Sequence, residues 1–539
     1  MHSDLSSWLR RVGCAVALAL LSARSYAAEP LAEACAKLTA LAGPHFMVRE
    51  ARFTPAGIAP GMPKAFVEPV LLPDHCLFRG TLWPRKGADG RLYGIRFELR
   101  MPRNWNGRFL FEGGAGSDGL EFPAYGTFGS GNRVQPPAVA KGFAVVRTDS
   151  GHQSEQFDDR EWSADQQARI DFAYNAVDKV TLKAKEVIEA YYGRKIDYSY
   201  FIGCSNGGRQ GMLVTQRMPL YFDGVVAGNA AFRGDMSHLR AVWGLSVLSK
   251  ISPRDEDGRP IVSKAFSHTD LKLVADAALK SCDALDGLAD GMINDIKACH
   301  FDPAILTCKS GKTDSCLTQD QVTALKTLIE GPRDRKGQPL FGSFPYDTGI
   351  ETHFAEVYLG TSPTSKANGW AATEMLGDVL NGMTPPDPQF DLYNMDFLDT
   401  WDRIQPYATT ARADSTFLET FARRGKLIIF NGNSDYILSS NDIARWYDRL
   451  EQDTGGHTED WARLFLVPGM KHCSHGLATD QFDPLASVQE WVEKGTPPDR
   501  IIATGTSFPG VTRPLCAWPK VARYVKGDPK NAHSFECRS

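Results

Sequence analysis

The sequence has little excess charge of either sign. Its 60 Lys and Arg residues nearly balance its 64 Asp and Glu residues, which leaves a formal net charge of -4 over 539 residues. Proteins that bind nucleic acid usually carry a basic patch or stripe, and no such cluster is evident in this sequence. We therefore expect a small substrate and no nucleic acid as a partner.

The sequence also lacks an apolar run of the roughly 20 residues that a membrane-spanning helix needs. Near its start, the shorter apolar run at residues 12–21 follows Arg10 and Arg11 and precedes a small-residue cleavage site at Ala27. This arrangement is typical of a signal peptide. It predicts that residues 1–27 are removed and that the mature chain is periplasmic or secreted, with no membrane partner.

Pairs of cysteines in C-x-x-C spacing, which are common in zinc sites, are absent. Of the 11 cysteines, Cys14 lies in the predicted signal peptide, and an even ten remain. An even number in an exported chain favours disulfides, here five. Close spacing favours three pairs: Cys282 with Cys299, Cys308 with Cys316, and Cys516 with Cys537. Spacing leaves four cysteines unassigned: Cys35, Cys76, Cys204 and Cys473.

Internal repeats and low-complexity tracts are also absent, and strand-like apolar runs instead alternate with helical periods. Strands are predicted at residues 108–111, 142–146, 198–202, 222–226, 426–430 and 463–467. A long amphipathic helix is predicted at about residues 163–192. The alternation of strand and helix predicts an α/β fold with a doubly wound, mostly parallel sheet.

The alternation stops between about residues 232 and 414, where Pro, Gly, Asp and Trp accompany short helical pieces. This stretch is too long for a loop, and the chain is too long for one compact core. We therefore predict a catalytic domain formed by residues 28–231 and 415–539. Residues 232–414 are predicted to be an inserted lid domain over the carboxyl edge of the sheet.

Residues 203–207, GCSNG, match the G-x-S-x-G nucleophile elbow of serine hydrolases. The motif is common by chance, and an idle serine in a glycine-rich turn is the alternative. Here a predicted strand precedes it, and Gly207 and Gly208 begin a predicted helix, which is the context that the elbow requires. The sequence therefore predicts that Ser205 is a nucleophile.

A serine hydroxyl needs a general base, and the base needs a carboxylate that orients it. Asp435 follows one predicted strand, and His472 follows the next. The resulting order of Ser, Asp and His along the chain is that of α/β-hydrolases. A solvated turn aspartate is the alternative for Asp435, and Asp414 is a weaker candidate for the acid.

The choice of base lies between His472 and the nearby His475. Cys473 directly follows His472, and Cys204 directly precedes Ser205. A disulfide between these two cysteines would place the side chain of His472 beside the nucleophile. The sequence therefore favours His472.

Negative charge develops on the carbonyl oxygen during acyl transfer and must meet fixed hydrogen-bond donors. The backbone N–H of Asn206, on the residue after the nucleophile, is predicted to be one donor. The glycine-rich run at residues 113–116, GGAG, lets the backbone approach a substrate. The second donor is predicted to be the N–H of Gly116, with a plain turn as the alternative.

A different chemistry is indicated at residues 282–292, CDALDGLADGM, where three carboxylates are spaced by glycines. Such oxygen ligands suit Ca²⁺, although the spacing is not that of an EF-hand. The predicted ligands are the side chains of Asp283, Asp286 and Asp290 and the carbonyls of Leu288 and Met292. We expect a structural calcium ion in the lid, and an ordinary Asp- and Gly-rich turn is the alternative.

Three segments of the chain resemble the tannase and feruloyl esterase family. They are residues 201–209, FIGCSNGGR, residues 282–291, and residues 467–473, VPGMKHC. The resemblance runs from about residue 35 to residue 537. It implies an α/β-hydrolase with a calcium-binding lid, and substrates that are esters of aromatic acids.

The resemblance also implies roles for particular residues. It implies a triad of Ser205, Asp435 and His472. It further implies two disulfides that spacing leaves open: Cys204 with Cys473, and Cys35 with Cys76.

The sequence thus predicts a secreted serine carboxylic-ester hydrolase that cleaves feruloyl, chlorogenoyl or galloyl esters through an acyl-enzyme. The main alternative is a hydrolase of a terephthalate monoester, whose free carboxylate would call for a cation. Between Ala355 and Phe390 the only cationic side chain is Lys366, which favours neutral phenolic esters. A peptidase or a catalytically silent binding module is less favoured, because no feature that grips a peptide is evident and a silent module would not need a complete triad.

Overall fold

A computed structural model describes residues 31–62, 68–127, 136–154, 161–360, 369–382, 387 and 389–539. The predicted signal peptide and Lys366 lie outside these residues. In the described part of the chain, no helix has the length and apolar character needed to span a membrane.

Most of the regular structure consists of strands that form one sheet and helices that pack on it. The strands of the described residues are β1 Phe46–Thr54, β2 Gly57–Ala59, β3 Val70–Leu72, β4 His75–Lys86, β5 Leu92–Pro102, β6 Arg108–Glu112, β7 Ala144–Thr148, β8 Tyr198–Cys204, β9 Gly224–Gly228, β10 Lys426–Gly432, β11 Ala462–Val467, β12 Arg500–Ala503, β13 Arg513–Cys516, β14 Val521–Tyr524 and β15 Phe535–Arg538. The α-helices from residue 166 onward are α1 Gln166–Ile170, α2 Ala176–Tyr192, α3 Asn206–Arg217, α4 Gly234–Ser249, α5 His268–Cys282, α6 Gln319–Glu330, α7 Leu376–Gly382, α8 Phe397–Ala408, α9 Glu419–Ala422, α10 Ser440–Asp453 and α11 Pro484–Lys494.

The central sheet has nine strands in the order β1-β4-β5-β7-β6-β8-β9-β10-β11. The six strands from β7 to β11 in this order pair in parallel. The strands β1, β4 and β5 extend one edge by antiparallel pairing. This sheet confirms the predicted α/β-hydrolase fold with a doubly wound, mostly parallel sheet.

All six predicted strands are present, with ends displaced by about two residues at most. The long antiparallel strands β4 and β5 were not predicted from the sequence, because charged residues interrupt their apolar runs. Those charges are compensated inside the fold. Glu98 is buried, and its carboxylate binds Arg79 at 2.7 Å and Arg100 at 2.7 Å.

The predicted helix at about residues 163–192 is also present, as α1 and α2 joined by one π-helical turn at Asp171–Asn175. The turn offers backbone carbonyls toward the elbow. Arg209 on α3 donates to the carbonyl oxygens of Ala173 and Phe172 at 2.7 and 3.0 Å. The irregular turn therefore anchors the helix that follows the predicted nucleophile.

The strands β8, β9, β10 and β11 end together at one edge of the sheet. Cys204, the last residue of β8, pairs with Gly228 of β9, and Phe430 of β10 pairs with the same glycine. Gly432, the last residue of β10, pairs with Val467, the last residue of β11. The segments that follow these strands therefore lie side by side, and they carry the predicted triad.

The described residues contain three large clusters of buried apolar side chains. The first lies on one face of the sheet and includes the helices α2, α3 and α10. The second is built by residues 231–404 together with residues 436–438. The third lies on the other face of the sheet and includes α11. The predicted domain boundaries remain a prediction, but the second cluster shows that residues 436–438 pack with the region predicted to be the lid.

Five disulfides join the ten cysteines of the described residues. They are Cys35–Cys76, Cys204–Cys473, Cys282–Cys299, Cys308–Cys316 and Cys516–Cys537. All five predicted pairs are confirmed.

A buried histidine on β4 makes the stability of this fold depend on pH. Arg100 can only donate, so its guanidinium donates to His75 Nε2 at 2.7 Å, and the Nδ1–H of His75 donates to the carbonyl of Pro73 at 2.8 Å. Burial, assisted by the charge of Arg100, lowers the pKa of His75 from 6.5 to about 4. If His75 were protonated, its Nε2 could no longer accept from Arg100, and the two positive charges would repel each other.

We predict that His75 lowers the free energy of unfolding by about 2 kcal/mol as the pH falls from about 7 to about 5. Unfolded His75 takes up a proton as the pH falls through 6.5, whereas folded His75 does so only near 4. The contribution of His75 to stability is therefore fully present above about pH 6.5 and is lost as the pH falls toward 4. Urea denaturation with the disulfides intact measures the change.

The variant His75→Gln keeps an acceptor for Arg100 but cannot titrate, so it should lose this part of the pH dependence. His457→Gln changes a histidine whose side chain is 80% exposed and serves as the control. An equal pH dependence in His75→Gln and in the wild type would contradict the assignment.

Candidate active site

Ser205 lies in a sharp turn between β8 and α3. Its backbone has φ 62, in the left-handed region that non-glycine residues seldom adopt. The turn is held by its N–H, which donates to the carbonyl of Gly228 at 3.0 Å, and by its carbonyl, which accepts from the N–H of Arg209 at 2.9 Å. A Cβ at Gly203 would lie 2.5 Å from the backbone of Gly207, so this close turn excludes a larger residue. The local structure is that of a nucleophile elbow.

Asp435 and His472 meet at the same edge of the sheet. His472 Nδ1 lies 2.8 Å from Asp435 Oδ2, and the carboxylate is 0% exposed. Asp435 Oδ1 accepts the backbone N–H groups of Ile437 and Leu438 at 2.9 and 3.1 Å. Burial acts to raise the pKa of Asp435, but the charge and hydrogen bond of His472 outweigh it and lower that pKa to about 2. The carboxylate is therefore ionised beside the imidazole.

Asn229 is a partner of the acid that the sequence analysis did not find. It follows β9, and its Nδ2 donates to Asp435 Oδ2 at 2.7 Å. Its φ of 33 is unusual for a residue with a side chain and is tolerated best by Asn and Asp. A polar residue directly after a buried strand was the available signal. Asn229 reaches Asp435 only because β9 lies between β8 and β10 in the sheet, and this strand order cannot be read from the sequence.

The two alternative residues lie elsewhere. The carbonyl of Asp414 accepts from Trp446 Nε1 at 3.0 Å, whereas the imidazole of His472 binds Asp435. His475 Nδ1 lies 2.7 Å from the hydroxyl of Ser474. The structure thus brings Asp435 and His472 together, rather than Asp414 or His475.

The Cys204–Cys473 disulfide links the elbow to the loop that carries His472. The two Cα atoms lie 6.0 Å apart although the residues are 269 positions apart in the chain. Each cysteine is adjacent to a predicted catalytic residue, and both cysteines are buried. The bond therefore fixes the backbone beside Ser205 relative to the backbone beside His472.

The glycine-rich run at residues 113–116 packs against the start of α3. A Cβ at Gly113 would lie 2.8 Å from Gly207 Cα, and a Cβ at Gly207 would lie 2.7 Å from the carbonyl oxygen of Gly114. Gly116 has φ 53. Asn206 is the first residue of α3, where a backbone N–H has no acceptor within the helix. Both predicted donors therefore belong to segments in direct contact next to Ser205.

A buried carboxylate lies behind these donors and was also missed by the sequence analysis. The Nδ2 of Asn206 donates to Asp118, and Arg209 Nε donates to Asn206 Oδ1 at 2.8 Å. Asp118 is 0% exposed, and burial raises its pKa to about 7. The three side chains hold the first turn of α3 in place.

The acidic loop at residues 282–292 has the oxygen ligands that calcium prefers, but in the described residues these ligands do not converge on one point. Asp283 accepts the backbone N–H of Asp290 at 3.0 Å, and Asp286 accepts that of Leu288 at 3.0 Å. Burial and the charges of Asp290 and Asp283 raise the pKa of Asp286 to about 6. Asp290 Oδ1 is buried without a hydrogen-bond partner, while its other oxygen contacts Arg513.

A hard cation would bind the unpaired oxygen of Asp290 and stabilise the ionised form of the buried Asp286 carboxylate. These side chains therefore fit Ca²⁺. In the described part of the chain, however, no three His, Cys, Asp or Glu side chains converge on a point that could hold a metal. Leu288 packs against the hairpin strands β13 to β15, and Met292 is buried. The loop is thus fixed to the carboxyl-terminal hairpins, and calcium remains a proposal.

Comparison with known proteins identifies the family. Residues 84–538 match the family model described as tannase and feruloyl esterase. The chain belongs to the tannase and feruloyl esterase family. It is therefore a carboxylic ester hydrolase, as the sequence analysis predicted.

Individual relatives agree with this assignment. The chain is 38% identical over 519 residues to a mono(2-hydroxyethyl) terephthalate hydrolase from Piscinibacter sakaiensis, covering 86% of this chain and 85% of the relative. It is 29% identical over 466 residues to a probable feruloyl esterase from Arthroderma benhamiae, covering 81% of each. The crystal structure of feruloyl esterase B from Aspergillus oryzae has the same fold, with a TM-score of 0.78, 22% identity, and coverage of 94% of this chain and 100% of that one.

We predict that this tannase-family esterase loses activity when the Cys204–Cys473 disulfide is removed. Replacing both cysteines by alanine should lower kcat on a p-nitrophenyl ester by about a hundredfold, because offsets of about 1 Å between catalytic groups have effects of that size. Turnover per folded molecule is the measurement.

The double variant Cys308→Ala, Cys316→Ala is the control. It removes a disulfide between two cysteines that are only 8 positions apart in the chain, in a largely exposed loop. Wild-type kcat in the Cys204→Ala, Cys473→Ala variant would show that the bond is not needed to align the site.

Proposed function

We propose that this enzyme cleaves esters of phenolic acids by acyl transfer, with Ser205 as nucleophile, His472 as general base and Asp435 as the carboxylate that orients the base. The observation that supports this most is the 2.8 Å contact between His472 Nδ1 and the buried Asp435 carboxylate, on a loop tied by a disulfide to the residue before Ser205. In this proposal the three residues act as the nucleophile, base and acid of a serine hydrolase.

The first step transfers the acyl group to the enzyme. Because Nδ1–H of His472 donates to the ionised Asp435, Nε2 is the nitrogen that can accept a proton. It takes the proton of Ser205 as the hydroxyl oxygen attacks the ester carbonyl carbon. The bond to the alcohol oxygen then breaks, and His472 returns the proton to the leaving alcohol.

The second step releases the acid. Water gives a proton to His472 Nε2 as its oxygen attacks the acyl carbon. When the bond between that carbon and the oxygen of Ser205 breaks, His472 returns the proton to the serine oxygen. In both steps the carbonyl oxygen becomes negative, and the backbone N–H groups of Asn206 and Gly116 are proposed to bind it. Such donors typically contribute about 3–4 kcal/mol each to transition-state stabilisation.

The proposed substrates are feruloyl, chlorogenoyl or galloyl esters, as in the family's feruloyl esterases. The alternative is a terephthalate monoester, and the 38% identical relative named for that activity favours it. A cation would have to bind the free carboxylate of such a substrate. Lys471, beside the proposed base, is instead paired with Glu356 at 2.7 Å, which favours a neutral acyl group.

The same proposal includes a lid domain at residues 232–414 and a structural calcium ion. Asp283, Asp286 and Asp290, with the carbonyls of Leu288 and Met292, would hold the ion. It would neutralise crowded carboxylates and supply no step of the reaction. We also propose that the chain is exported with residues 1–27 as its signal peptide, since five disulfides are typical of proteins outside the cytosol.

We predict higher kcat/KM on methyl ferulate, chlorogenate or an alkyl gallate than on mono(2-hydroxyethyl) terephthalate. The physical reason is that Lys471, the cation next to His472 in the chain, is already paired with Glu356. Steady-state kinetics on purified protein with this panel is the measurement. The reverse ranking would make the terephthalate monoester the preferred substrate.

Ser205→Ala is the control for the same panel. It should reduce kcat by several orders of magnitude on every ester while leaving the fold intact, because triad members act as a unit. Retention of more than a few per cent of wild-type turnover would contradict the proposed mechanism.

We further predict that calcium stabilises the fold without taking part in catalysis. Chelation should lower the melting temperature, and added Ca²⁺ should restore it, because a ligand that binds only the native state adds stability by mass action. Asp286→Ala should abolish the response, whereas Asp276→Asn, at an exposed position on α5, should keep it. Metal analysis without calcium, together with a melting temperature unaffected by chelation, would refute the site.

A further inference from the structure

The loop that carries Asp435 is in contact, residue by residue, with a segment of the region proposed to be the lid. We name residues 433–438 the acid loop and residues 343–356 the clamp segment. Ser434 donates its hydroxyl proton to the carboxylate of Asp347. Tyr436 donates its phenolic proton to the carbonyl of Pro345 at 3.0 Å. The residues on both sides of Asp435 are therefore bound by the clamp segment.

His353 lies at the centre of these contacts. Its Nδ1 is 3.0 Å from the carbonyl oxygen of Ser434 and 3.0 Å from the backbone nitrogen of Tyr436. The same nitrogen lies 3.9 Å from Asp435 Oδ1, and the ring is nearly parallel to that of His472, with centroids 6.4 Å apart. His353 Nδ1 thus lies between the two peptide groups that flank the acid and can form a hydrogen bond with either of them.

The chemistry of His353 indicates positioning rather than proton transfer. The side chain is 1% exposed, and burial lowers its pKa to about 4, so the ring is neutral near neutral pH. In one tautomer Nδ1–H donates to the Ser434 carbonyl, and in the other Nδ1 accepts the N–H of Tyr436. Either tautomer fixes one flank of Asp435. The carboxylate of Asp435 already accepts its hydrogen bonds from other donors, namely His472, Asn229 and the backbone of the acid loop.

Stability alone does not account for a histidine at this position. Within the described residues, His353 Nε2 is buried and has no hydrogen-bond partner. A buried unpaired polar atom has an unfavourable free energy of about 1–3 kcal/mol, which an apolar side chain of similar size would avoid. What an apolar side chain lacks is the Nδ1 contact with the acid loop.

The clamp segment also reaches the loop that carries the proposed base. Glu356, three residues after His353, binds Lys471 at 2.7 Å, and Lys471 directly precedes His472. Both the acid and the base are therefore held from the same segment, 80 to 120 residues away in the chain. Offsets of about 1 Å between such groups change rates by about a hundredfold.

We propose that His353 is a positioning residue for Asp435 and that the clamp segment makes the triad dependent on the lid region, independently of any contact with substrate. The inference rests on the proposed triad. It means that the region over the sheet does more than cover the substrate, since the acid is aligned only while the clamp segment is docked.

Three variants at one position test the proposal. The amide of an asparagine occupies nearly the place of Nδ1, so His353→Asn should keep most of the wild-type kcat. The amide of a glutamine occupies nearly the place of Nε2, so His353→Gln and His353→Leu should lose the contact. In these two variants we expect kcat to fall by at least about tenfold with KM changed by less than about twofold, because alignment rather than binding is lost.

Each kcat is measured per active site, titrated by the burst of an aryl ester, and each variant is checked by thermal melting. His268→Gln, on α5, changes a histidine whose side chain is 74% exposed and should behave as the wild type. A lower melting temperature with unchanged kcat per site in His353→Gln and His353→Leu would overturn the proposal. So would equal loss of kcat in all three variants, since asparagine would then fail to rescue.

Ser205→Ala separates failure of this inference from failure of the proposed function. If Ser205→Ala is inactive while His353→Gln keeps the wild-type kcat, the triad stands and the positioning role is refuted. If Ser205→Ala keeps its turnover, the mechanism on which the inference rests is refuted.

Discussion

Asp435 carries a negative charge in the interior of the protein, and its surroundings stabilise that charge. A buried carboxylate without partners would take up a proton, because desolvation disfavours the ionised form. Here Asp435 accepts from His472 and Asn229 through one oxygen and from the backbone of Ile437 and Leu438 through the other. The donors come from segments after three different strands. The geometry of the site therefore depends on the sheet holding these segments in register.

The elbow at Ser205 depends on a second constraint, which is the close approach of two backbones. The glycine-rich run at residues 113–116 touches Gly207 at distances that leave no room for a Cβ. This contact joins the run that contains Gly116 to the start of α3, where Asn206 lies. Two glycines at the start of a helix weaken it. Arg209, in the same first turn, donates to the π-helical turn and holds the start of the helix in place.

Residues 231–404 are connected to the loop that carries Asp435 by both packing and hydrogen bonds. Residues 436–438, which follow Asp435, belong to the apolar cluster built by residues 231–404. His353 and Asp347 bind the backbone and side chains on either side of the acid. Because one continuous set of contacts spans both regions, movement of one changes the position of the other.

The sequence by itself determined what is local or ordered along the chain. Ser205 follows from a short motif with a strand before it and a helix after it, and His472 follows from the Ser, Asp, His order and the adjacent cysteine. The parallel strands were found because each is a short, continuous apolar run. Only the tertiary structure decided the rest. Asn229, His353 and Asp118 act through contacts between segments far apart in sequence, and these contacts exist only because strand order and chain docking bring the segments together.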